Sequence, residues 1–148
     1  MQNSNKPLKI GLITGARRVK ANASTAREFY NPSPLFRYRI KYCAQNCDGV
    51  YILSPEKFLI TPEDLPPIEN QGLENITWEE FKMWKCKAVE TITKLIPAGS
   101  TLVFLTGNRF RQIIPLLSEK YECQEPTKGM DIGKQLKYFI NLFGKVGI

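Results

Sequence analysis

The sequence predicts a single α/β domain of the Rossmann-like kind, with three layers and a mostly parallel sheet of about four strands. Short, almost continuous apolar runs alternate along the chain with longer amphipathic segments. This alternation is typical of parallel sheets, whose strands are buried on both faces by the helices that connect them. The length of 148 residues suffices for one hydrophobic core and is short for two. We therefore expect residues 1–148 to form one domain.

A long polar segment separates the first predicted strand from the first predicted helix. The run KIGLIT at Lys9–Thr14 is short and almost wholly apolar, which indicates a buried strand. Residues 15–33 are polar and basic, and connections of this length rarely lack a function, so we expect a functional loop there. Ser33 followed by Pro34 is typical of an N-cap and a first helical residue, and we predict a helix from there to about Gln45.

The middle of the chain contains a second strand and a surface loop. The run VYILS at Val50–Ser54 follows an Asp-Gly turn and predicts a buried strand. Phe58–Ile60 fits either a short strand or a single turn, and the sequence does not decide between them. Residues 61–73 contain three prolines together with acidic residues and glycine, so we expect a loop that runs over the surface.

The clearest helix signal comes shortly after this loop. Thr77 and Glu80 have the spacing of a capping box ahead of an amphipathic pattern, which predicts a helix over Trp78–Leu95. The run TLVFL at Thr101–Leu105 then predicts the third buried strand.

The last third of the chain adds two helices and a short strand. A turn at Thr106–Asn108 is expected to lead into a helix that ends at Leu117. Tyr121–Glu125 predicts a short fourth strand, and Lys134–Phe143 predicts the final helix. The glycine-flanked segment before that helix could present amides to a phosphate. Alternatively, Asp131 caps the helix and the glycines only shape the turn, which is the interpretation we favour slightly.

Charge is distributed unevenly along the chain. The net charge is +7, and residues 1–48 account for all of it, with nine basic residues against two acidic ones. This asymmetry favours a phosphorylated small molecule or a nucleic acid as partner, although a scattered basic surface would give the same count.

The absence of histidine excludes several kinds of site. Ser-His and Cys-His nucleophiles, His-ligated zinc and imidazole proton shuttles all require that side chain. The four cysteines lack the two close pairs of a usual zinc site, so we expect free thiols and no metal, and no cofactor is identified. Without a signal peptide or a membrane-spanning run, the protein is expected to be cytoplasmic and to have no membrane partner.

The carboxyl ends of the predicted strands are the expected place for a ligand, because open α/β sheets bind ligands there. Glycine allows close backbone approach and arginine recognises phosphate, although no standard phosphate motif is present. Tyr30 would either stack on a base or anchor its loop. Glu56 is the candidate catalytic acid, base or nucleophile, or else a solvated loop acid. The residues predicted to bind the ligand are Thr14, Gly15, Arg17, Arg18, Arg27, Tyr30, Arg37, Ser54, Gly107, Asn108, Arg109, Gly133 and Lys134.

Five short segments follow the first predicted strand in this order: Ala26–Tyr30 (AREFY), Ser33–Arg37 (SPLFR), Tyr51–Ser54 (YILS), Thr106–Arg111 (TGNRFR) and Ile132–Leu136 (IGKQL). Taken in order, they resemble a widespread family of small uncharacterised α/β proteins from bacteria, archaea and phages. The resemblance implies a Rossmann-like fold with a cleft formed by these segments, and it implies no settled activity. The chain departs from the usual pattern: a cysteine near Thr14 or Gly15 is absent, Pro-Glu-Lys-Phe replaces Ala-Lys-Tyr-Gly after Ser54, and a later Pro-Tyr is missing.

Two functions from different classes account for these features. The favoured one is an enzyme directed at nucleotides or nucleic acids, which binds a phosphorylated ligand at the strand ends and uses Glu56 in base or glycosyl-bond chemistry. The alternative is a non-catalytic nucleic-acid-binding module that contacts phosphates with the basic residues 1–48. A lower-ranked hypothesis places a protein partner on the acidic, proline-rich loop Pro62–Glu74. The oligomeric state is not predicted.

Overall fold

Strands and helices alternate through residues 6–67 and 76–144, which are the residues that the computed structural model of the chain describes. Most of the predicted loop Pro62–Glu74, from residue 68 onward, lies outside them. The strands are β1 (Lys9–Thr14), β2 (Gly49–Ser54), β3 (Phe58–Ile60), β4 (Thr101–Leu105) and β5 (Glu122–Gln124). The helices are α1 (Ala26–Tyr30), α2 (Pro34–Asn46), α3 (Trp78–Leu95), α4 (Ile114–Leu117) and α5 (Ile132–Phe143), with a 3₁₀ helix at Phe110–Ile113 directly before α4.

β1 is the central strand of a five-stranded sheet with the order β3-β2-β1-β4-β5. It pairs in parallel with β2 on one side and with β4 on the other. β4 also pairs in parallel with β5, whereas β2 and β3 are antiparallel. The predicted α/β class with a mostly parallel sheet is therefore confirmed.

The predicted number of about four strands is too low, because Phe58–Ile60 is a strand. It pairs with β2 so that Ser54 lies opposite Phe58. Only three residues connect the two strands, and a parallel pair needs a crossover of about a dozen residues or more. The short connection therefore forces an antiparallel hairpin, and this strand forms one edge of the sheet.

The predicted loop at residues 15–33 contains a short helix, α1. Thr25 is its N-cap, and the Thr25 Oγ1 accepts a hydrogen bond from the backbone N–H of Glu28 (3.2 Å). The Glu28 carboxylate in turn accepts from the backbone N–H of Ser24 (3.1 Å). The sequence Thr-Ala-Arg-Glu has the spacing of a capping box, so the signal for this helix was present in the sequence.

The helix predicted to follow the turn at Thr106–Asn108 and to end at Leu117 is broken into two short pieces. A 3₁₀ helix covers Phe110–Ile113 and is followed by the four-residue α4. Pro115 lies at the start of α4 and has no backbone N–H, so it cannot donate to the carbonyl of Arg111 as a continuous α-helix would require.

The two long helices of the second half begin at capped residues. The capping box of Thr77 and Glu80 is present at the start of α3, as predicted. α5 begins at Ile132 rather than at Lys134, and the Asp131 carboxylate accepts a hydrogen bond from the backbone N–H of Lys134 (2.8 Å). The capping interpretation of this segment is therefore confirmed.

Helices cover both faces of the sheet and bury a separate apolar cluster on each. Alternate residues of β1 and β4 point into the two clusters, as expected for strands buried on both faces. One cluster, beneath α2 and α5, includes Ile13, Phe36, Cys43, Val103, Leu105 and Phe139. The other, beneath α3 and α4, includes Leu12, Phe81, Trp84, Ile92, Phe104 and Ile113.

The close packing of α2 against β1 at Gly11 predicts a stability difference between two glycine variants. A Cβ added at Gly11 would overlap the buried Cys43 Sγ, whereas one added at Gly49 would lie 3.5 Å from Ile10 Cδ1 in ordinary contact. We expect Gly11→Ala to lower the free energy of unfolding by about 1–3 kcal/mol. Gly49→Ala, the matched control, should change it by less than about 0.5 kcal/mol. Urea unfolding measures both, and equal effects would contradict the packing argument.

Candidate functional site

A cavity of about 470 Å³ opens at the carboxyl ends of β1 and β4. These strands flank the point at which the strand order reverses, since the chain runs from β1 to β2 on one side and later reaches β4 on the other. Ligands of open α/β sheets bind at such a switch point, and the volume is in the range of small-molecule sites, about 300–1,000 Å³. Four segments line the cavity: the loop after β1, the start of α2, the residues after β4 and the start of α5.

The side chain of Arg39, on α2, forms a buried part of the cavity wall and is 3% exposed. Its Nη1 donates to the hydroxyl of Thr14 (2.9 Å) and its Nη2 donates to Gln135 Oε1 (2.7 Å). The Gln135 amide is oriented by a second hydrogen bond, in which its Nε2 donates to the carbonyl oxygen of Met130 (3.1 Å). Arg39 is therefore held in one position by the end of β1 and the first turn of α5.

The charge of Arg39 is not paired with a carboxylate in the part of the chain that the structure describes. Both of its hydrogen-bond partners are neutral, and its Nε is buried without a partner. Burial, together with the nearby positive charge of Arg111, lowers the pKa of Arg39 to about 10. A desolvated cation without a counter-ion is unfavourable, so an anion placed in the cavity would be stabilised there.

Arg111 is a second buried arginine and adds to the positive potential at Arg39. Its Nη2 donates to the carbonyl oxygen of Thr127 (3.0 Å) and to the hydroxyl of the same residue (3.1 Å). Its Nε lies 3.8 Å from Glu125 Oε1, an ion pair that offsets part of its charge. Arg111 is thus fixed by the segment that follows β5, whereas Arg39 keeps its charge uncompensated.

The N-termini of two long helices lie at the cavity. Ser33, which caps α2, and Leu35 of its first turn line the cavity from one side, and Ile132 at the start of α5 lines it from the other. The N-terminus of a helix carries a partial positive charge and favours a bound anion. The start of α2 therefore reinforces the field of Arg39, whereas the Asp131 carboxylate that caps α5 offsets the partial charge of that helix.

Apolar side chains and a wider outer region complete the site. Leu35, Phe110 and Leu136 form part of the cavity wall. The cavity adjoins an outer shelf of about 690 Å³, with which it shares Gly107, Ile132 and Gln135. Asp131, which lines the outer shelf, is the one carboxylate among the described residues that line either space. The outer shelf is further lined by Asn108, Met130 and Gly133.

Six of the predicted ligand-binding residues lie together at this place. Thr14, Arg17, Arg18 and Gly107 line the cavity, and Asn108 and Gly133 line the outer shelf. Arg17 and Arg18 are exposed and belong to the loop that follows β1. The convergence follows from the adjacency of β1 and β4, whose carboxyl ends meet at one edge of the sheet.

Gly15, Tyr30 and Glu56 do not line the cavity. A Cβ at Gly15 would overlap the ring of Tyr30, which is buried and packs against the rings of Phe29 and Phe36. The structure therefore favours the anchoring role of Tyr30 over base stacking. Glu56 is exposed, and burial together with the charge of Glu56 raises the pKa of Tyr30 to about 12.

Three of the predicted cationic residues do not line the cavity. The Arg27 Nε donates to Glu63 Oε2 (2.8 Å) in an exposed ion pair. The guanidinium of Arg109 lies 4.8 Å from the centre of the Phe81 ring on α3. Lys134 is exposed in the first turn of α5. None of the three lines the cavity or the outer shelf.

Ser54 and Arg37 lie away from the cavity as well. The Ser54 hydroxyl accepts hydrogen bonds from the backbone N–H groups of Glu56 (3.2 Å) and Lys57 (3.0 Å), so it fixes the turn between β2 and β3. Arg37 is half-buried, and its Nε has no hydrogen-bond partner among the described residues.

Arg39 and Gln135 were missed as site residues, although their spacing contained a signal. Phe36, Arg39 and Cys43 are three and four residues apart and therefore lie on one face of α2, which is the buried face. Gln135 lies four residues before the buried Phe139 on α5. A polar residue in the apolar stripe of a helix indicates a buried polar contact, because burial of such a group requires a partner.

The fold and the cavity define an α/β protein with a candidate anion-binding site at the carboxyl edge of its sheet. The chain belongs to DUF6884, a family of unknown function, which it matches over residues 10–141. This membership confirms the resemblance seen in the sequence. No curated protein and no solved structure matches the chain.

The described residues also bear on metal binding, thiols and membrane segments. Across residues 6–67 and 76–144, no group of three or more Cys, Asp or Glu side chains is placed to hold a metal ion. The four cysteines are free thiols, of which Cys43 is buried and Cys86 is exposed. No helix in those ranges is long and apolar enough to cross a membrane.

The raised pKa of Tyr30 predicts a pH-dependent contribution to stability. Because this pKa rises from 10.0 to about 12 on folding, the folded protein holds the phenol proton more tightly than the unfolded chain. The contribution is complete below about pH 10 and is lost as the pH approaches about 12. Between about pH 9 and pH 11, urea unfolding should show a larger loss of stability in the wild type than in Tyr30→Phe. Identical pH dependence would mean that the phenol is not desolvated.

Proposed function

We propose that the protein binds a phosphorylated ligand of nucleotide size at the switch point of a Rossmann-like sheet, as part of an activity on nucleotides or nucleic acids. One observation carries the proposal: the guanidinium of Arg39 is buried in the cavity wall and has no carboxylate partner among the described residues. The start of α2 and the exposed Arg17 and Arg18 support it, because they add positive charge around the same cavity.

A phosphorylated ligand fits this arrangement better than an uncharged one. Leaving a charged group buried and unpaired costs several kcal/mol, and a bound anion offsets that cost. A guanidinium presents parallel N–H groups that match the oxygens of phosphate. The volume of about 470 Å³ and the apolar wall at Leu35, Phe110 and Leu136 provide room and contact for a base or another organic group.

The catalytic part of the proposal rests on Glu56. This residue follows β2, the neighbour of β1, so it belongs to the same edge of the sheet as the cavity without lining it. A carboxylate can attack a sugar or stabilise its cationic transition state, which glutamine cannot do. We expect Glu56→Gln to bind nucleotide with unchanged affinity and to release no free base from it. Chromatography measures the released base. Unchanged release of the base would mean that Glu56 is a solvated loop acid without a catalytic role.

Removal of the buried charge tests the binding part of the proposal. We expect Arg39→Gln to weaken the binding of a nucleoside monophosphate by about 10- to 100-fold, since a charged hydrogen bond is lost. Isothermal titration calorimetry measures the change. Arg27→Gln removes an exposed charge outside the cavity and is the matched control, with an expected change below about twofold.

A second variant covers the case in which Arg39→Gln does not fold. Gln135→Glu keeps Arg39 and places a carboxylate at the present position of the amide oxygen, 2.7 Å from Nη2. The added negative charge should neutralise Arg39 and weaken anion binding in the same direction. Nucleotide affinity that is unchanged in both variants would contradict the proposed function.

The non-catalytic nucleic-acid-binding module is the second candidate. Arg17, Arg18 and Lys20 are exposed on the loop after β1, at the edge of the sheet where the cavity opens. Such a loop can contact several backbone phosphates, and binding of this kind weakens steeply with salt.

A further inference from the structure

We propose that the ligand of this cavity carries a terminal phosphate, that is, a phosphomonoester on a nucleoside-like group, and not a phosphodiester from the interior of a nucleic acid. The inference rests on the proposed function and specifies the substrate class of the same site. It follows from the depth of Arg39, the balance of charge and the position of the apolar wall.

The burial of Arg39 limits how many organic groups a phosphate bound to it can carry. The side chain is 3% exposed and is enclosed by the buried Thr14 and Gln135. A phosphate in contact with it is bounded on that side by these packed residues. A monoester needs one exit for its single organic group, whereas a diester needs space for a second chain beside α2 and α5. The packed surroundings of Arg39 favour the ligand with one exit.

The charge of the site matches a dianion better than a monoanion. Arg39, Arg17 and Arg18 line the cavity, Arg111 adds the part of its charge that Glu125 does not offset, and no described residue that lines the cavity is acidic. The N-terminus of α2, which is capped by the neutral Ser33, adds a partial positive charge. A phosphomonoester carries a charge of about −1.5 to −2 near neutral pH, because its second pKa is about 6. A phosphodiester carries a single charge and would leave more of the positive potential unbalanced.

The apolar side chains of the cavity wall indicate where the organic group of the ligand lies. Leu35, Phe110 and Leu136 line the same cavity as Arg39, and Ile132 continues from the cavity into the outer shelf. Ile132 is 71% exposed, so its apolar surface is accessible to a ligand. A ligand with its phosphate at Arg39 would place its apolar or aromatic part against this wall and lead out to the outer shelf.

The first experiment compares three ligands that differ at one position. A nucleoside 5′-monophosphate, its methyl phosphodiester and the parent nucleoside are titrated into the full chain by calorimetry. We expect the monophosphate to bind at least about tenfold more tightly than the methyl ester, and the nucleoside to bind most weakly. Equal affinity for monophosphate and methyl ester overturns the inference and leaves the proposed function standing. Equal affinity for all three, or no binding, overturns the proposed function itself.

The pH dependence of binding provides an independent readout. Histidine is the side chain whose ordinary pKa lies between about 5 and 8, and the chain contains none. A change in affinity between about pH 7 and pH 5 therefore reports the second ionisation of the phosphate. We expect the monophosphate to lose up to about tenfold in affinity over this interval and the methyl ester to lose almost none. A flat profile for the monophosphate contradicts recognition of the dianion.

Two arginine variants separate the inner anion site from the rest of the cavity. Arg39→Gln should reduce the preference for monophosphate over methyl ester to about twofold or less, because the buried charge is responsible for it. Arg18→Gln removes an exposed charge that lines the cavity and is screened by solvent and salt. It should therefore weaken both ligands by a similar factor and keep most of the preference. A preference that survives Arg39→Gln overturns the assignment, and the ligand series on the wild type stands even if this variant does not fold.

A terminal phosphate occurs both on a free nucleotide and at the end of a nucleic acid strand. A further comparison distinguishes these two ligands. A short single-stranded oligonucleotide is titrated with and without a 5′-phosphate. Binding that requires the 5′-phosphate supports the inference with a strand end as ligand, and binding of the mononucleotide alone supports it with a free nucleotide. Oligonucleotide binding that ignores the 5′-phosphate, while the mononucleotide fails to bind, overturns the inference in favour of the nucleic-acid-binding module.

Discussion

The guanidinium of Arg39 joins parts of the chain that are distant in sequence. Its hydrogen bonds link α2 to the last residue of β1, and also to Gln135 in the first turn of α5, 96 residues further along the chain. Because both partners are buried and neutral, a shift of Arg39 would leave polar groups unsatisfied at both ends. Together with the burial of Phe139 in the apolar cluster, these hydrogen bonds set the position of α5 relative to the sheet, and with it the shape of the cavity.

Local patterns were sufficient to predict the elements whose signals lie within a few residues. The capping box of Thr77 and Glu80 and the apolar runs of β1 and β4 are signals of this kind, and the corresponding helix and strands are present. β3 could not be predicted with the same certainty, because three residues contain little periodicity and its strand pairing depends on the geometry of the preceding turn. The length and direction of such an element are decided by tertiary contacts.

The candidate site was predictable in location but only partly in composition. Topology brings the loops after β1 and β4 together, so Thr14 and Gly107 could be placed at a common edge from sequence order. The direction of a loop side chain has no such rule, and Arg109 stacks on Phe81 instead of lining the cavity. Arg39 was missed because arginine is almost never fully buried without a charged partner. That exception to the usual distribution makes it the most informative residue of the site.

The two edges of the sheet have a consequence for the behaviour of the protein at high concentration. β3 and β5, the outermost strands, contain three residues each. An outer strand with free backbone donors and acceptors is a template on which another chain can add a strand, and a short one offers few such groups. The parallel strands β1 and β4 are longer and would offer more backbone groups for such pairing, but each lies between two neighbouring strands of the sheet. The order of the strands therefore protects the most apolar segments from intermolecular sheet extension.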